Sequence, residues 1–338
     1  MSVFDDIHVS LAHGNGGRFM NALIEEIFAR HFANPEFGAD LDAAPIRLDP
    51  MKEIVMTTDS FIVQPLEFPG GDIGSLAVHG TVNDLAVSGA RPRYLTVNAI
   101  IEEGLELKLL DRLVASAAAA AKEAGVRIVA GDTKVTPRGA GGGLYLATTG
   151  VGERTPDLKL GMACIKPGDA VLVSGPVGDH GVAVLLAREA FDLKGDVRSD
   201  SANVIALAEA LLDLDGLRFM RDPTRGGLAT VACEIARGTG LDMRLRETDT
   251  PVRPAISSVC DILGYDPYYL ACEGRVVAVV APEDAERALA AWKALPQGVD
   301  ATIIGEASTG TGRVILETEI GGERLLEELE DDPLPRIC

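Results

Sequence analysis

Residues 94–130, YLTVNAIIEEGLELKLLDRLVASAAAAAKEAGVRIVA, contain the pattern that decides the fold class. The pattern predicts a strand over 94–101, a long helix over 107–124 and a second strand over 126–130. A strand, a helix and a second strand in this order are typical of an α/β layer. The turn Gly131-Asp132-Thr133 ends the second strand, and a further strand is predicted over 144–151.

The alternation of strands and helices continues on both sides of residues 155–168, where the composition shifts to Pro, Gly and Lys. At roughly 150 residues per domain, this length suggests two domains. We therefore predict an α/β (α+β) protein with an N-terminal domain over 1–158 and a C-terminal domain over 159–312. Residues 313–338 are acidic and end in Pro-Leu-Pro-Arg-Ile-Cys, which predicts a mobile tail carrying the terminal Cys338.

The charge and the cysteine content narrow the classes of partner. The chain has 31 Lys and Arg against 51 Asp and Glu, a net charge of −20. This acidic excess argues against nucleic acid or an anionic membrane, because both bind basic surfaces. No stretch approaches the ~18 uninterrupted apolar residues of a membrane span. The five cysteines include no C-x-x-C pair, which is typical of a reducing compartment, so we expect the protein in the cytoplasm.

Aspartates lie where predicted strands or helices meet loops. Carboxylates at such ends can converge on Mg²⁺, which prefers hard oxygen ligands and shares them with substrate phosphates. Asp also caps helices and turns, and spacing alone does not distinguish these roles. The residues concerned are Asp42, Asp59, Asp84, Asp132 and Asp222.

Three further residues are candidates for chemistry. Lys134 follows Asp132-Thr133 and could meet a phosphate or a developing charge. Glu273 precedes a strongly apolar strand and could act as a base. Each could equally be a solvated loop charge. Cys338 is either an incidental exposed thiol or a carrier thiol that the tail delivers into a site. His180, with no second histidine at metal-ligand spacing, is predicted to be a turn residue.

Taken together and in this order, seven segments resemble the HypE family of hydrogenase maturation factors. They are HGNGGR (13–18), TTDSF (57–61), PGGDIG (69–74), GTVNDLA (80–86), GDTKV (131–135), DPTRGGL (222–228) and PRIC (335–338). The resemblance covers essentially the whole chain. The terminal PRIC separates it from families that share the fold, such as selenophosphate synthetase, aminoimidazole ribonucleotide synthetase and thiamine monophosphate kinase.

The resemblance implies a two-domain aminoimidazole ribonucleotide synthetase-like (PurM-like) fold with a flexible C-terminal tail, assembled as a homodimer. It implies an ATP-dependent carbamoyl dehydratase. A HypF-type carbamoyltransferase places a carbamoyl group on Cys338, and ATP is used to remove water, which leaves an S-cyano group. The cyanide then passes to iron held by the HypC–HypD complex, on the way to the [NiFe] hydrogenase active site.

The same resemblance implies roles for individual residues. Asp42, Asp84 and Asp222 would hold Mg²⁺. Nucleotide contacts would come from Asp59, Asn83, Asp84, Gly131, Asp132 and Thr133. We assign Lys134 to stabilising the phosphate or the carbamoyl oxygen, and Glu273 to removing protons.

Two other classes of function stay open at this point. A different ATP-dependent enzyme of the same fold, resembling selenophosphate synthetase or a small-metabolite kinase, would tolerate Cys338→Ala. A non-enzymatic docking protein would use the acidic tail and terminal thiol to bind a partner, and would show no Mg²⁺-dependent ATP turnover.

Overall fold

The structure is a computed structural model that describes residues 2–37, 43–189, 196–330, 334 and 337. The chain divides into two compact units. The first unit runs up to Leu85 and includes Ala90–Pro156, and the second comprises Ala86–Gly89 and Asp157–Ile337. The boundary predicted after residue 158 lies two residues from this division.

The first unit consists of helices and a mixed sheet. Helix α1 (Arg18–Leu23) continues through a π-helical segment (Ile24–Ala29) into α2 (Arg30–Phe32), and α3 (Ile73–Val87) and α4 (Leu107–Glu123) follow. The strands are β1 (Glu53–Phe61), β2 (Glu67–Phe68), β3 (Gly71–Asp72), β4 (Arg91–Glu102), β5 (Arg127–Thr136) and β6 (Leu144–Arg154). The strand, helix and strand predicted from residues 94–130 are thus confirmed as β4, α4 and β5. The turn predicted at Gly131-Asp132-Thr133 was wrong, because β5 continues through these residues to Thr136, in register with β4.

The main sheet of the first unit has the order β1-β6-β4-β5. Neighbours are antiparallel except β4 and β5, which are parallel and are joined by α4. Helix α3 packs on one face, where Gly150 leaves room for Thr81 and Leu85. Along β6 buried residues alternate with half-buried ones, which is the pattern of a sheet covered on one side. The open face exposes apolar side chains, among them Met56 at 68%.

The second unit is built around a sheet of seven strands in the order β13-β12-β9-β11-β7-β10-β8. Its strands are β7 (Ala170–Val173), β8 (Leu217–Arg221), β9 (Asp242–Arg246), β10 (Val277–Val280), β11 (Thr302–Ser308), β12 (Val314–Glu317) and β13 (Glu323–Leu326). Its helices are α5 (Asp179–Glu189), α6 (Ile205–Glu209), α7 (Gly227–Thr239), α8 (Pro254–Leu263) and α9 (Ala285–Lys293). Every residue of β7 and β10 is buried, because apolar clusters cover both faces of the sheet centre.

Part of the predicted tail belongs to the second sheet. Residues 314–317 and 323–326 form a hairpin that extends the second sheet, with β12 parallel to β9. The apolar side chains of Val314, Leu316 and Leu326 are buried in its core. The prediction of a separate tail from residue 313 was therefore wrong for these strands. The acid content of 313–338, taken as a whole, concealed a short alternating apolar pattern.

Beyond β13, the described residues lie against the second unit. The carbonyl of Glu327 accepts a hydrogen bond from the Tyr269 hydroxyl at 2.8 Å, and Glu328 pairs with Arg237. Leu334 and Ile337 are buried to 4% and 3% exposure. Among the described residues, no helix has the length and hydropathy that crossing a bilayer requires.

Candidate active site

Helix α3 brings polar side chains against strand β1. The helix begins where Asp72 Oδ1 accepts hydrogen bonds from the backbone N–H groups of Gly74 and Ser75, at 2.8 and 3.0 Å, an N-cap arrangement. Further along, a Cβ on Gly80 would lie 2.7 Å from the Phe61 ring, so glycine permits the helix to approach the strand closely.

This approach builds an oxygen-rich group from Thr57, Asp59 and Asp84. The Thr57 hydroxyl donates to Asp84 Oδ2 at 2.8 Å. Asp59 lies two residues along β1, hence on the same face as Thr57. Asn83, beside Asp84 on the helix, is buried to 1% exposure. Carboxylate oxygens are ligands that Mg²⁺ prefers and shares with substrate phosphates, so Asp59 and Asp84 have the chemistry that a magnesium–nucleotide site requires.

Gly131 on β5 is in register with Asp59 on β1 across the four-stranded sheet. Asp59 is opposite Thr148, Thr148 is opposite Val97, and Val97 is opposite Gly131. A Cβ on Gly131 would lie 2.1 Å from the Val97 carbonyl oxygen. The close approach of β4 and β5 therefore requires glycine here, independently of any nucleotide.

Asp132 and Lys134 point to the other face of that sheet. They are opposite Asn98 and Ile100, and side chains alternate along a strand, so both lie on the open face while Thr133 is buried. Lys134 Nζ lies 2.6 Å from Asp132 Oδ2, with the two side chains 64% and 55% exposed. The hydrogen bond from Lys134 lowers the pKa of the Asp132 carboxyl. The predicted nucleotide contacts are thus divided between the two faces of the sheet.

In the second unit, Asp222 follows β8 and is buried to 3% exposure. The loop after it is held by the Cys272 N–H, which donates to the Pro223 carbonyl at 3.0 Å. Gly227 has a φ of 60°, and a Cβ there would lie 2.5 Å from the Leu270 carbonyl oxygen. Only glycine satisfies both conditions, which explains the glycine at the first position of α7.

Glu273 is fixed by a neighbouring carboxylate. Its side chain is buried to 1% exposure. Its backbone N–H donates to Asp200 Oδ1 at 3.1 Å, and the Gly274 N–H donates to Asp200 Oδ2 at 3.3 Å. Arg275 Nε lies 3.4 Å from the same Oδ2 atom. Asp200 therefore determines the course of the backbone at the predicted base.

His180 contacts the end of the chain, which the sequence did not predict. It is the second residue of α5 and fully buried, so the expectation of a turn residue was wrong. One ring nitrogen, Nε2, lies 2.7 Å from the Ile337 carbonyl oxygen, and Nδ1 lies 2.8 Å from Ser199 Oγ. Burial lowers the pKa of His180, which favours the neutral ring. Its partner lies 157 residues away in sequence, so a local sequence pattern does not predict the contact.

Asp179, next to His180, is buried beside other charges. Its Oδ2 lies 3.0 Å from Arg253 Nε and 3.6 Å from an Arg275 terminal nitrogen. Burial, followed by the nearby Asp200 carboxylate, raises the pKa of Asp179 to about 6 in spite of the two arginines.

Two predicted site residues, Asp42 and Cys338, lie outside the described residues. The other two members of the predicted metal set, Asp84 and Asp222, belong to different units. Within the described part of the chain, no three carboxylate, imidazole or thiol side chains are grouped so as to hold a metal. The metal set therefore stays a prediction.

Comparison with known proteins identifies the class to which this fold and site belong. Residues 40–154 match the family "AIR synthase related protein, N-terminal domain", and residues 166–317 match "AIR synthase related protein, C-terminal domain". These matches cover more than half of the chain and define a protein of the AIR synthase related class.

Within that class, the chain is 48% identical over 332 residues to carbamoyl dehydratase HypE of Azotobacter vinelandii, with 98% of this chain and 97% of the relative covered. A crystal structure of hydrogenase maturation protein HypE in complex with ATP matches with a TM-score of 0.93 and 47% identity, over 97% of this chain and 99% of that one. The chain belongs to the HypE family of carbamoyl dehydratases.

A crystal structure of a HypE–HypF complex also resembles the chain. The match has a TM-score of 0.80 and 45% identity, and it covers 91% of this chain and 100% of that one.

Proposed function

We propose that this chain uses ATP to dehydrate an S-carbamoyl group on Cys338 to an S-cyano group, which supplies the cyanide ligand of the iron in [NiFe] hydrogenase. One observation carries the proposal beyond family membership. His180 contacts the carbonyl of Ile337, the residue before Cys338, with one ring nitrogen and the Ser199 hydroxyl with the other. The next residue, Asp200, holds the backbone of Glu273. The C-terminal segment and the predicted base are thus held by neighbouring residues of one segment.

The chemistry requires an activated oxygen. A carbamoyl oxygen is a poor leaving group, so the oxygen first attacks the γ-phosphorus of ATP, and ADP leaves. The product is an imidate phosphate that has lost one proton from nitrogen. Loss of the second N–H proton and of phosphate then gives the nitrile. Glu273 removes a proton from the carbamoyl nitrogen, and Lys134 stabilises negative charge on the phosphate or on the carbamoyl oxygen.

Carrying the substrate on the chain's own terminus favours this reaction. A tethered group reaches its site at an effective concentration in the millimolar range for short flexible linkers, without a bimolecular encounter. Burial of Leu334 and Ile337 supports docking of the tail in the second unit.

The predicted nucleotide contacts are Asp59, Asn83, Asp84, Gly131, Asp132 and Thr133. Of these, Asp59 and Asp84 belong with Thr57 to the oxygen-rich group between β1 and α3, which supports binding of the nucleotide through a metal ion at this place. The predicted ligands of Mg²⁺ are Asp42, Asp84 and Asp222, and a metal ion bound there would neutralise charge on the phosphates.

The partners follow from the same chemistry. A HypF-type carbamoyltransferase loads Cys338, as the resemblance to the HypE–HypF complex supports. The HypC–HypD complex accepts the cyanide in the cytoplasm. The exposed apolar face of the first sheet, with Ile54, Met56 and Ile100 at 46%, 68% and 41% exposure, supports a homodimer that covers this face.

Intact mass spectrometry of the carbamoylated chain tests the proposal. Adding ATP and Mg²⁺ should reduce the mass by one water molecule per chain, and omitting either should leave it unchanged. Cys338→Ala should accept no carbamoyl group. A carbamoylated chain that keeps its mass while ATP is hydrolysed would contradict the proposed function.

A further inference from the structure

A hydrogen-bonded chain of side chains in the second unit ends on the C-terminal segment. A carbonyl oxygen only accepts hydrogen bonds, so His180 Nε2 carries a proton and donates to Ile337 at 2.7 Å. In the neutral ring Nδ1 then accepts from the Ser199 hydroxyl at 2.8 Å. Ser199 Oγ in turn accepts from the Ser201 N–H at 3.0 Å. His180 and Ser199 thus each donate one hydrogen bond and accept another, and this arrangement fixes the tautomer of the ring.

The contact lies in a dry environment. The His180 side chain is at 0% exposure, and Ile337 is buried to 3%. A hydrogen bond between buried groups is electrostatically stronger than one in water, and a carbonyl left without its donor there is costly. The contact therefore selects the docked position of the segment.

The carbonyl oxygen that accepts this hydrogen bond lies next to the terminal cysteine. The Ile337 carbonyl belongs to the last peptide bond of the chain, the one that joins Ile337 to Cys338. A peptide unit is planar, so a hydrogen bond to its oxygen restricts the orientation of the peptide bond that carries Cys338.

We propose that His180 is a positioning residue that captures the Ile337 carbonyl, and so sets the place at which the terminal thiol is presented for dehydration. This inference rests on the proposed function. His180 acts through the backbone and takes no part in bond making. Ser199 supports it by fixing the ring, and Asp200, next in sequence, ties the same segment to Glu273.

Docking is measured separately from chemistry. Carboxypeptidase is added to the full-length, uncarbamoylated protein, and release of Cys338 is followed by intact mass. Loss of the donor in His180→Leu should accelerate release about 5- to 10-fold, the effect of one buried hydrogen bond. His180→Gln keeps an N–H donor at similar reach and should release within about 2-fold of wild type. Ser199→Ala, a smaller change at the partner of Nδ1, should lie between them.

Positioning is then measured on carbamoylated protein with ATP and Mg²⁺. For His180→Leu, the single-turnover rate of dehydration should fall at least 5-fold, while the ATP concentration for half-maximal rate stays unchanged. His180→Gln should recover most of the rate. Thermal unfolding of each variant verifies folding, and if His180→Leu does not fold, Ser199→Ala carries both tests.

The outcomes separate the two proposals. If carboxypeptidase releases Cys338 equally fast from wild type and from folded His180→Leu (or Ser199→Ala in its place), the role of His180 is overturned, whatever the rate of dehydration. Faster release with an unchanged dehydration rate would overturn positioning. A wild-type chain that never loses water would refute the proposed function, while the carboxypeptidase rates still decide whether His180 docks the segment.

Discussion

Replacing Glu273 by Gln separates catalysis from stability. The side chain is buried to 1% exposure, and its backbone N–H is held by Asp200 at 3.1 Å. Gln has nearly the same shape, so the change leaves no cavity and keeps that backbone hydrogen bond. Burying a carboxylate costs several kcal/mol before its partners compensate it. We therefore expect the free energy of unfolding to stay the same or to rise by about 1–3 kcal/mol.

The rate should change in the opposite direction. An amide cannot accept a proton from the carbamoyl nitrogen at neutral pH, and a positioned general base contributes about 10²- to 10⁴-fold. The single-turnover rate of dehydration should fall by that factor, with the half-saturating ATP concentration unchanged. A residue that served only to hold the fold would show the reverse pattern, loss of stability and of activity together.

The assay combines two measurements on the same samples. Intact mass of carbamoylated protein against time after addition of ATP and Mg²⁺ gives the rate, and chemical denaturation gives the stability. Glu286→Gln is the matched control, because Glu286 is an exposed acid on α9 of the same unit. Dehydration by Glu273→Gln at the wild-type rate would refute the role of Glu273. A large loss of stability in Glu273→Gln would refute the inference that burying this carboxylate costs stability.

Three further perturbations test other parts of the account. Lys134→Met should change stability by less than about 1 kcal/mol, because its ion pair with Asp132 is exposed, yet should slow dehydration about 10²-fold; a wild-type rate by intact mass would exclude its role. Gly131→Ala should cost at least about 2 kcal/mol, since a Cβ 2.1 Å from the Val97 oxygen must break sheet hydrogen bonds; an unaltered denaturation midpoint would contradict the close approach. Because the pKa of Asp179 is raised to about 6 in the fold, its protonation stabilises the protein fully below the unfolded value of 3.8, and this contribution is lost as pH rises through 6. Wild type should therefore lose up to about 3 kcal/mol relative to Asp179→Asn across that window, and parallel pH profiles of unfolding would disprove the raised pKa.

The sequence predicted those parts of the fold that depend on local patterns. The strand–helix–strand unit of residues 94–130 is present because its apolar periodicity is long and unambiguous. Strands β12 and β13 were missed because they are four residues each and lie in an acidic segment. The pairing of β12 with β9 depends on residues about 70 positions earlier, which a local pattern does not contain.

In the candidate site, too, local patterns were predicted from the sequence and contacts between distant residues were not. The segments around Asp59, Asp84 and Asp222 were found from motifs. Asp59, Asp84 and Asp132 were expected at the ends of elements, but they lie inside β1, α3 and β5. The motifs also did not reveal which face of the sheet each side chain takes. Asp132 and Asp59 lie on opposite faces because Asp59 is in register with Gly131 across the sheet. His180 was predicted to be a turn residue, and its contact with Ile337 was missed because that residue lies at the far end of the chain.

The central claim is that ATP removes the carbamoyl oxygen from the terminal thiol. The most direct measurement loads Cys338 with a carbamoyl group that carries oxygen-18 and analyses the phosphate after a single turnover with unlabelled ATP and water. We expect the label in inorganic phosphate, in step with formation of the S-cyano group. Unlabelled phosphate accompanying nitrile formation would contradict the account.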